Sequence, residues 1–480
     1  MVRHALSEQI LSEAQRHRID AALSLTRLDS IPGQAFALFV VLCVVYLFSI
    51  GIRATNGSSI TGDEPFYLVT TQSIVEDLDI DLNNQYSEEN YRQWFDHPND
   101  LWTQSEPTDD GRLLSPHNTG LPIFLIPGFL AAKLTGAQVQ ILITAALTFA
   151  LAFVLAYRLT GAQFISWVST LAVAVTPTAF VYSTEIYPEV PAALVLVLSL
   201  VVVTRTSRPR WVDGLVVLVL LNALLWLGIK YAPLGLTIAL VVLWRSERRM
   251  QWIFVALTVV SAMFYSWYHI INFGGLTPYA VNSIYVGGST SEIFQQHVEI
   301  PDRVYRLWGL FIDERFGSAR WGFILFVALY GGILLVRGSW PQRLIVTLIS
   351  IQILIATFVA ITMMGWWFPG RTMMVVLPLF IVGVVRAIQI ASPRVRLVCA
   401  ALAVHTAAVT VALASAGHAR EIRLAVDPFE MSSPLFQVFA PLFPNYTSWS
   451  THTWVTTAGW LIGAGILALY PVFFPTRERT

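Results

Sequence analysis

Charged side chains are scarce in this 480-residue chain, and the few between apolar runs form clusters able to do chemistry. The first is Gly62-Asp63-Glu64-Pro65-Phe66-Tyr67. A carboxylate there can take a proton from a hydroxyl. The same pair also reads as a cap on a helix begun by Pro65, because acids are favoured at a helix N-terminus. The second cluster runs from Gly111 through Arg112 and Ser115-Pro116-His117 to Gly120-Leu121-Pro122. Arg112 and His117 suit an anion, and His117 suits proton transfer; the stretch also reads as a plain Gly/Pro turn. The third is Glu185-Ile186-Tyr187-Pro188-Glu189, where Pro188 leaves Glu189 to start the next helix. Lys230, between two apolar runs, either snorkels to the interface or binds phosphate. Arg371, after Trp366-Trp367-Phe368-Pro369-Gly370, carries a donor fork shaped for phosphate. Arg315 and Arg320, around Phe316-Gly317, are further anion ligands or members of an ion-pair cluster with Asp313 and Glu314.

The elements that must position these residues are apolar. Hydrophobic residues make up 55% of the chain and charged ones 12%, with mean hydropathy +0.61. Soluble domains carry about 25% charged residues and cannot bury this much apolar surface. Thirty basic groups balance thirty acidic ones, so no global field attracts a nucleic acid. The two cysteines, Cys43 and Cys399, sit in apolar runs and predict neither a disulfide framework nor a metal cluster.

The sequence therefore predicts an all-α polytopic membrane protein. Twelve runs approach the roughly 20 residues a span requires: 34–52, 137–157, 163–181, 189–204, 211–228, 230–244, 251–270, 321–336, 343–363, 371–390, 395–415 and 455–474. A shorter run, 121–134, holds Pro122 and Pro127 and reads as a helix lying in or re-entering the interface. With both termini cytoplasmic, eighteen basic and seven acidic groups fall inside, and twelve basic and twenty-three acidic ones outside. That bias is the one expected of a plasma-membrane protein; were 121–134 to cross, the Arg-rich turns would face outward. Residues 1–33 read as a cytoplasmic amphipathic segment that is not a cleaved leader, 34–474 as the membrane domain and 475–480 as a tail. The loops 54–119, 271–320 and 416–454 then lie outside, the first built of short helices.

All the clusters above fall on that outer face. An acidic pair, several cations and an apolar bundle suit a lipid phosphate carrying a sugar: a polyprenyl tail between the spans, its phosphate among Arg and Lys, and Asp63 as base for an acceptor hydroxyl. The alternative is a transporter or flippase of a lipid-linked saccharide precursor. Transporters often carry internal repeats and mid-membrane charges, whereas this chain has no visible repeat and keeps its ionisable residues at one face.

In order, Gly-Asp-Glu-Pro-x-Tyr, Gly-Arg-Leu, Ser-x-His-x-x-Gly-Leu-Pro, Tyr-Pro-Glu, Lys-Tyr, Phe-Gly, Asp-x-Arg-Phe-Gly and Trp-Trp…Gly-Arg resemble the polytopic GT-C glycosyltransferases, in particular bacterial relatives of protein mannosyltransferases and aminoarabinose transferases. The resemblance spans about Arg53 to Pro378. It implies a GT-C-like fold and transfer of a sugar from a polyprenyl-phosphate donor, usually with inversion. It implies Asp63 as catalytic base supported by Glu64, and Arg371, Lys230, Arg315 and Arg320 as donor-phosphate ligands. Tyr67, Arg112, His117, Tyr187 and Glu189 are the expected substrate contacts. No metal ligand is assigned, although the resemblance leaves a divalent ion open. The acceptor is an unspecified glycan, lipid or protein, and membrane lipids are the other partners. The chain departs from the common pattern at Phe66, where histidine is frequent, and at Asn118-Thr119, where a proline often precedes the glycine.

Overall fold

The computed structural model describes residues 30–205, 211–283, 300–363 and 367–473. Most of the expected N-terminal amphipathic segment, the expected tail, and Trp366 lie outside these residues. Among the described residues the architecture is helical, with one isolated bridge between Ser105 and Asn282 and no named strand.

Each of the twelve apolar runs carries a helix. They are α1 (Ile31–Leu47), the second arm of α3 (Gly120–Thr160), α4 (Gln163–Ala174), α6 (Glu189–Val203), α7 (Trp211–Leu227), α8 (Ala232–Arg245), α9 (Arg248–Phe273), α10 (Ile324–Leu335), α11 (Trp340–Phe358), α12 (Phe380–Ile390), α13 (Pro393–His418) and α14 (Thr451–Phe473). Two more matter to the site, α2 (Glu64–Glu76) and the short α5 (Pro177–Tyr182). The chain is a multi-pass membrane protein: by length and composition alone, five helices among the described residues (α3, α9, α11, α13 and α14) are able to cross a bilayer.

Local chemistry sets the helix ends. Ser30, Thr176 and Ser392 cap α1, α5 and α13, each followed by a proline in the first turn. Ser339 and Gln342 form a capping box on α11. Two runs expected to be continuous are broken by proline, whose missing N–H and ring are tolerated only in a first turn. Run 163–181 divides at Thr176-Pro177 into α4 and α5. Run 371–390 opens with 3-10 turns at Arg371–Met373 and Leu377–Leu379 before α12 begins. These breaks lie beside the site and shape the segment carrying Arg371. The first loop is, as expected, short helices joined by turns: α2, Asn83–Ser87 and a 3-10 turn at Asn90–Gln93.

Run 121–134 forms the first arm of α3. Non-helical dihedrals at Ala132 (φ −159°, ψ 39°) and Lys133 (φ 48°, ψ −127°) separate it from the second arm. The Gln140 side chain binds both Phe124 O and Gly128 N. A Cβ on Gly136 would stand 2.0 Å from Gly128 O, so only glycine admits this approach. Residue 124 thus meets 140, and 128 meets 136, symmetrically about Ala132. That pairing belongs to two arms folded back on each other. At about 1.5 Å per residue the first arm is roughly 18 Å long, short of a hydrocarbon core of about 30 Å. It lies folded back against the second arm.

Gly136→Ala forces the two backbones apart and is expected to cost about 1–3 kcal/mol. A Cβ on Gly459 of α14 meets nothing within 4 Å, so Gly459→Ala is expected to leave stability within about 0.5 kcal/mol. Thermal unfolding of the two variants in detergent checks the contrast.

Candidate active site

Four breaks in the helical bundle converge on one cluster. Asp63 ends the turn before α2, Glu189 opens α6, Lys230 lies in the 3-10 turn Ile229–Tyr231 before α8, and Arg371 lies in the 3-10 turn before α12. Gly370 supplies the φ of 89° that turns the chain into Arg371.

Asp63 stands at the N-cap position of α2, yet its side chain makes no capping hydrogen bond. Its Oδ2 instead accepts from Arg371 Nη2 at 2.7 Å. Nε of the same guanidinium points at Glu189 Oε1 at 3.3 Å, and Lys230 Nζ donates to that oxygen at 2.7 Å. The result is an alternating chain of charges, Asp63–Arg371–Glu189–Lys230. The Tyr187 ring lies 3.8 Å from the Arg371 guanidinium carbon and the Trp367 ring 5.1 Å. His117 Nε2 is 4.0 Å from Asp63 Oδ1, too far for a hydrogen bond, and donates to Gln104 Oε1 at 2.6 Å. The Tyr67 ring packs beside His117, with centroids 4.9 Å apart.

Burial pushes the Asp63 carboxyl up, but Arg371, His117 and Lys230 together outweigh it and hold the group down at about 2. Asp63 is therefore a carboxylate at any physiological pH. Burial lowers His117, and Arg371 and Lys230 lower it further against the opposing pull of Asp63; the imidazole is neutral near pH 7. Glu64 behaves differently. Burial carries it up to about 7 although Ile186 N–H and Thr61 N–H, each 2.9 Å away, both donate to it. Glu185, buried with Oε2 unpartnered, is raised by burial and then by Glu64.

These contacts sort the expected site residues. Asp63, Arg371, Lys230, Glu189, Tyr187, His117 and Tyr67 are brought together. Glu64 is turned away from the cations: it joins the Asp63 turn to the 185–187 segment, a tie reinforced by Tyr187 OH donating to Thr61 O at 3.2 Å. Three cations stand elsewhere. Arg320 is fully buried, donates Nη2 to Phe436 O at 2.6 Å and packs 3.7 Å from that residue's ring, while its Nε and Nη1 are buried without a partner; it takes no part in the Asp63–Arg371 chain. Arg112 pairs with Asp110 at 2.8 Å and Asn272 at 3.1 Å, lining an outer hollow of about 590 Å³. Arg315 lies over the Phe429 ring at 4.6 Å and lines a hollow of about 340 Å³ with Phe316, Trp367 and Pro369. Trp367 and Pro369 also line the crevice that reaches Arg371, so the Arg315 hollow and the charge cluster share a wall. The sequence reading missed Gln104, which orients His117, and gave Trp367 no role beyond its place in the Trp-Trp…Gly-Arg motif. Nothing in the spacing marked Gln104; the proximity of Trp367 to Arg371 in sequence was the available signal for the second.

A divalent ion does not fit this donor set as arranged, because Asp63 and Glu189 are directed at cations and Glu64 at backbone amides. Among the described residues no three His, Cys, Asp or Glu side chains converge as metal ligands.

No protein-family model and no curated protein matches the chain. Two solved structures are similar to it. One is ArnT from Cupriavidus metallidurans in the apo state, with TM-score 0.49 and 13% identity, covering 90% of this chain and 77% of that one. The other is the apo oligosaccharyltransferase from Archaeoglobus fulgidus, with TM-score 0.38 and 12% identity, covering 85% of this chain. The match spans 56% of the length of the oligosaccharyltransferase. At these identities and TM-scores the chemistry rests on the site itself.

Proposed function

We propose that this protein is a GT-C-type membrane glycosyltransferase that moves a sugar from a polyprenyl-phosphate donor to an acceptor hydroxyl at the extracytoplasmic face of a plasma membrane. The observation that carries the reading is Asp63: an acid at a helix start, free of capping duty, in direct contact with a cation suited to phosphate. Arg371 and Lys230 hold the donor phosphate. Asp63 accepts the acceptor's proton as its oxygen bonds to the anomeric carbon. The carbon–oxygen bond to phosphate breaks, and its electron pair goes to the phosphate oxygen, where the two cations meet the growing charge. One displacement of this kind inverts the anomeric centre. His117, neutral and oriented by Gln104, is placed to bind the sugar or acceptor through a ring nitrogen. Glu64 positions the base by holding two backbone amides.

Asp63→Asn is expected to cut transfer by about a hundredfold or more, the usual contribution of a general base, without loss of donor binding. Mass spectrometry of products after incubation with a panel of polyprenyl-phosphate sugars reads both activity and sugar. Arg371→Ala is expected to raise the donor KM about tenfold or more, the worth of a hydrogen bond to a charged group; an unchanged KM contradicts the phosphate role. Glu64→Ala leaves two buried amides unpaired and is expected to cost about 1–3 kcal/mol, whereas Glu64→Gln keeps an acceptor and is expected to cost less, both read by thermal unfolding.

A further inference from the structure

Both two-pronged edges of the Arg371 fork share Nη2, and Asp63 holds that nitrogen, while Glu189 takes Nε and the Tyr187 and Trp367 rings stand against the guanidinium. The residue is 9% exposed. A phosphate that takes the two-pronged grip of the guanidinium needs Nη2, the nitrogen Asp63 holds. The two carboxylates are not equally able to move. Glu189 is 1% exposed, belongs to the first turn of α6 and is held by Lys230 as well. Asp63 has 24% of its side chain exposed, precedes α2 on a turn and makes no cap bond that would resist displacement.

We infer that Asp63 and the donor phosphate compete for Nη2 of Arg371, so that seating the donor is what frees the base. The inference rests on the reading of Arg371 as a phosphate ligand and adds regulation to it. While paired, the carboxylate is a poor proton acceptor, since burial is outweighed by its cations. A phosphate at Arg371 takes that cation's stabilisation for itself, and the released carboxylate becomes more basic beside the new negative charge. The Glu189–Lys230 pair stays in place and leaves two further ammonium donors for the phosphate. The base is then available only when there is a sugar to transfer, and the donor binds before the acceptor is activated.

The test is a double-mutant cycle on binding of a sugar-free polyprenyl monophosphate to the full-length protein in nanodiscs, read by native mass spectrometry. Arg371→Ala weakens binding about tenfold or more. Asp63→Asn removes the competitor and tightens binding about tenfold. With Arg371 already replaced, Asp63→Asn gives no further tightening. A gain of the same size with and without Arg371 means simple relief of charge repulsion and overturns the competition. Absence of any tightening in Asp63→Asn also overturns it. Should Arg371→Ala bind as the parent does, the phosphate-ligand reading itself falls. Arg371→Gln, neutral and still able to hydrogen-bond Glu189, completes the cycle if the alanine variant does not fold.

Discussion

The site depends on charge compensation below the protein surface. Two carboxylates and two cations, drawn from four breaks in the helical bundle, neutralise one another in the order Asp63, Arg371, Glu189, Lys230. A buried charge is tolerated only when paired, and removing one partner of such a pair typically costs about 3–5 kcal/mol. The cluster therefore constrains the fold around it. The turn before α2, the start of α6, the α7–α8 junction and the segment after Gly370 must all meet at one point, and the prolines and glycines in these segments let them leave the helical path to do so.

How far this was legible in the sequence differs from residue to residue. Asp63, Glu189, Lys230 and Arg371 stood out because a charge at the edge of an apolar run needs a reason, and the charge bias put all four on one face. That reading set the cations around a phosphate and the acids beside its sugar; the direct pairing of acids with cations is what the structure adds. Glu64 was expected beside Asp63 because the two are adjacent. Adjacent residues point in different directions, and Glu64 meets the amides of Thr61 and Ile186 instead. Arg320 was grouped with the phosphate ligands by residue type alone. Its partner is the carbonyl of Phe436, more than a hundred residues away, and no local pattern announces such a contact.

The fold shows the same division. Hydropathy located every described helix of the bundle, because an apolar run in a membrane must satisfy its backbone internally and does so as a helix. It did not locate the breaks at Pro177 and before α12, since apolar composition continues across them. For run 121–134 the length and prolines suggested an arm that does not cross. The fold-back between Gly128 and Gly136 supplies the geometry that length and prolines did not. Burial sets the remaining property of the site: Asp63 and Glu64 share a turn, yet burial is outweighed at Asp63, which is bonded to Arg371 and held at about 2, and prevails at Glu64, which is carried up to about 7.

The central claim is that this cluster is where the lipid phosphate and the base meet. A cryo-electron-microscopy structure of the protein with a bound polyprenyl phosphate tests it most directly. The account predicts the phosphate within hydrogen-bond distance of Arg371 and Lys230, with the Asp63 carboxylate facing the space beside it. A phosphate seated instead in the Arg315 hollow or on the outer Arg112 surface, with the Asp63–Arg371 pair intact, contradicts the account.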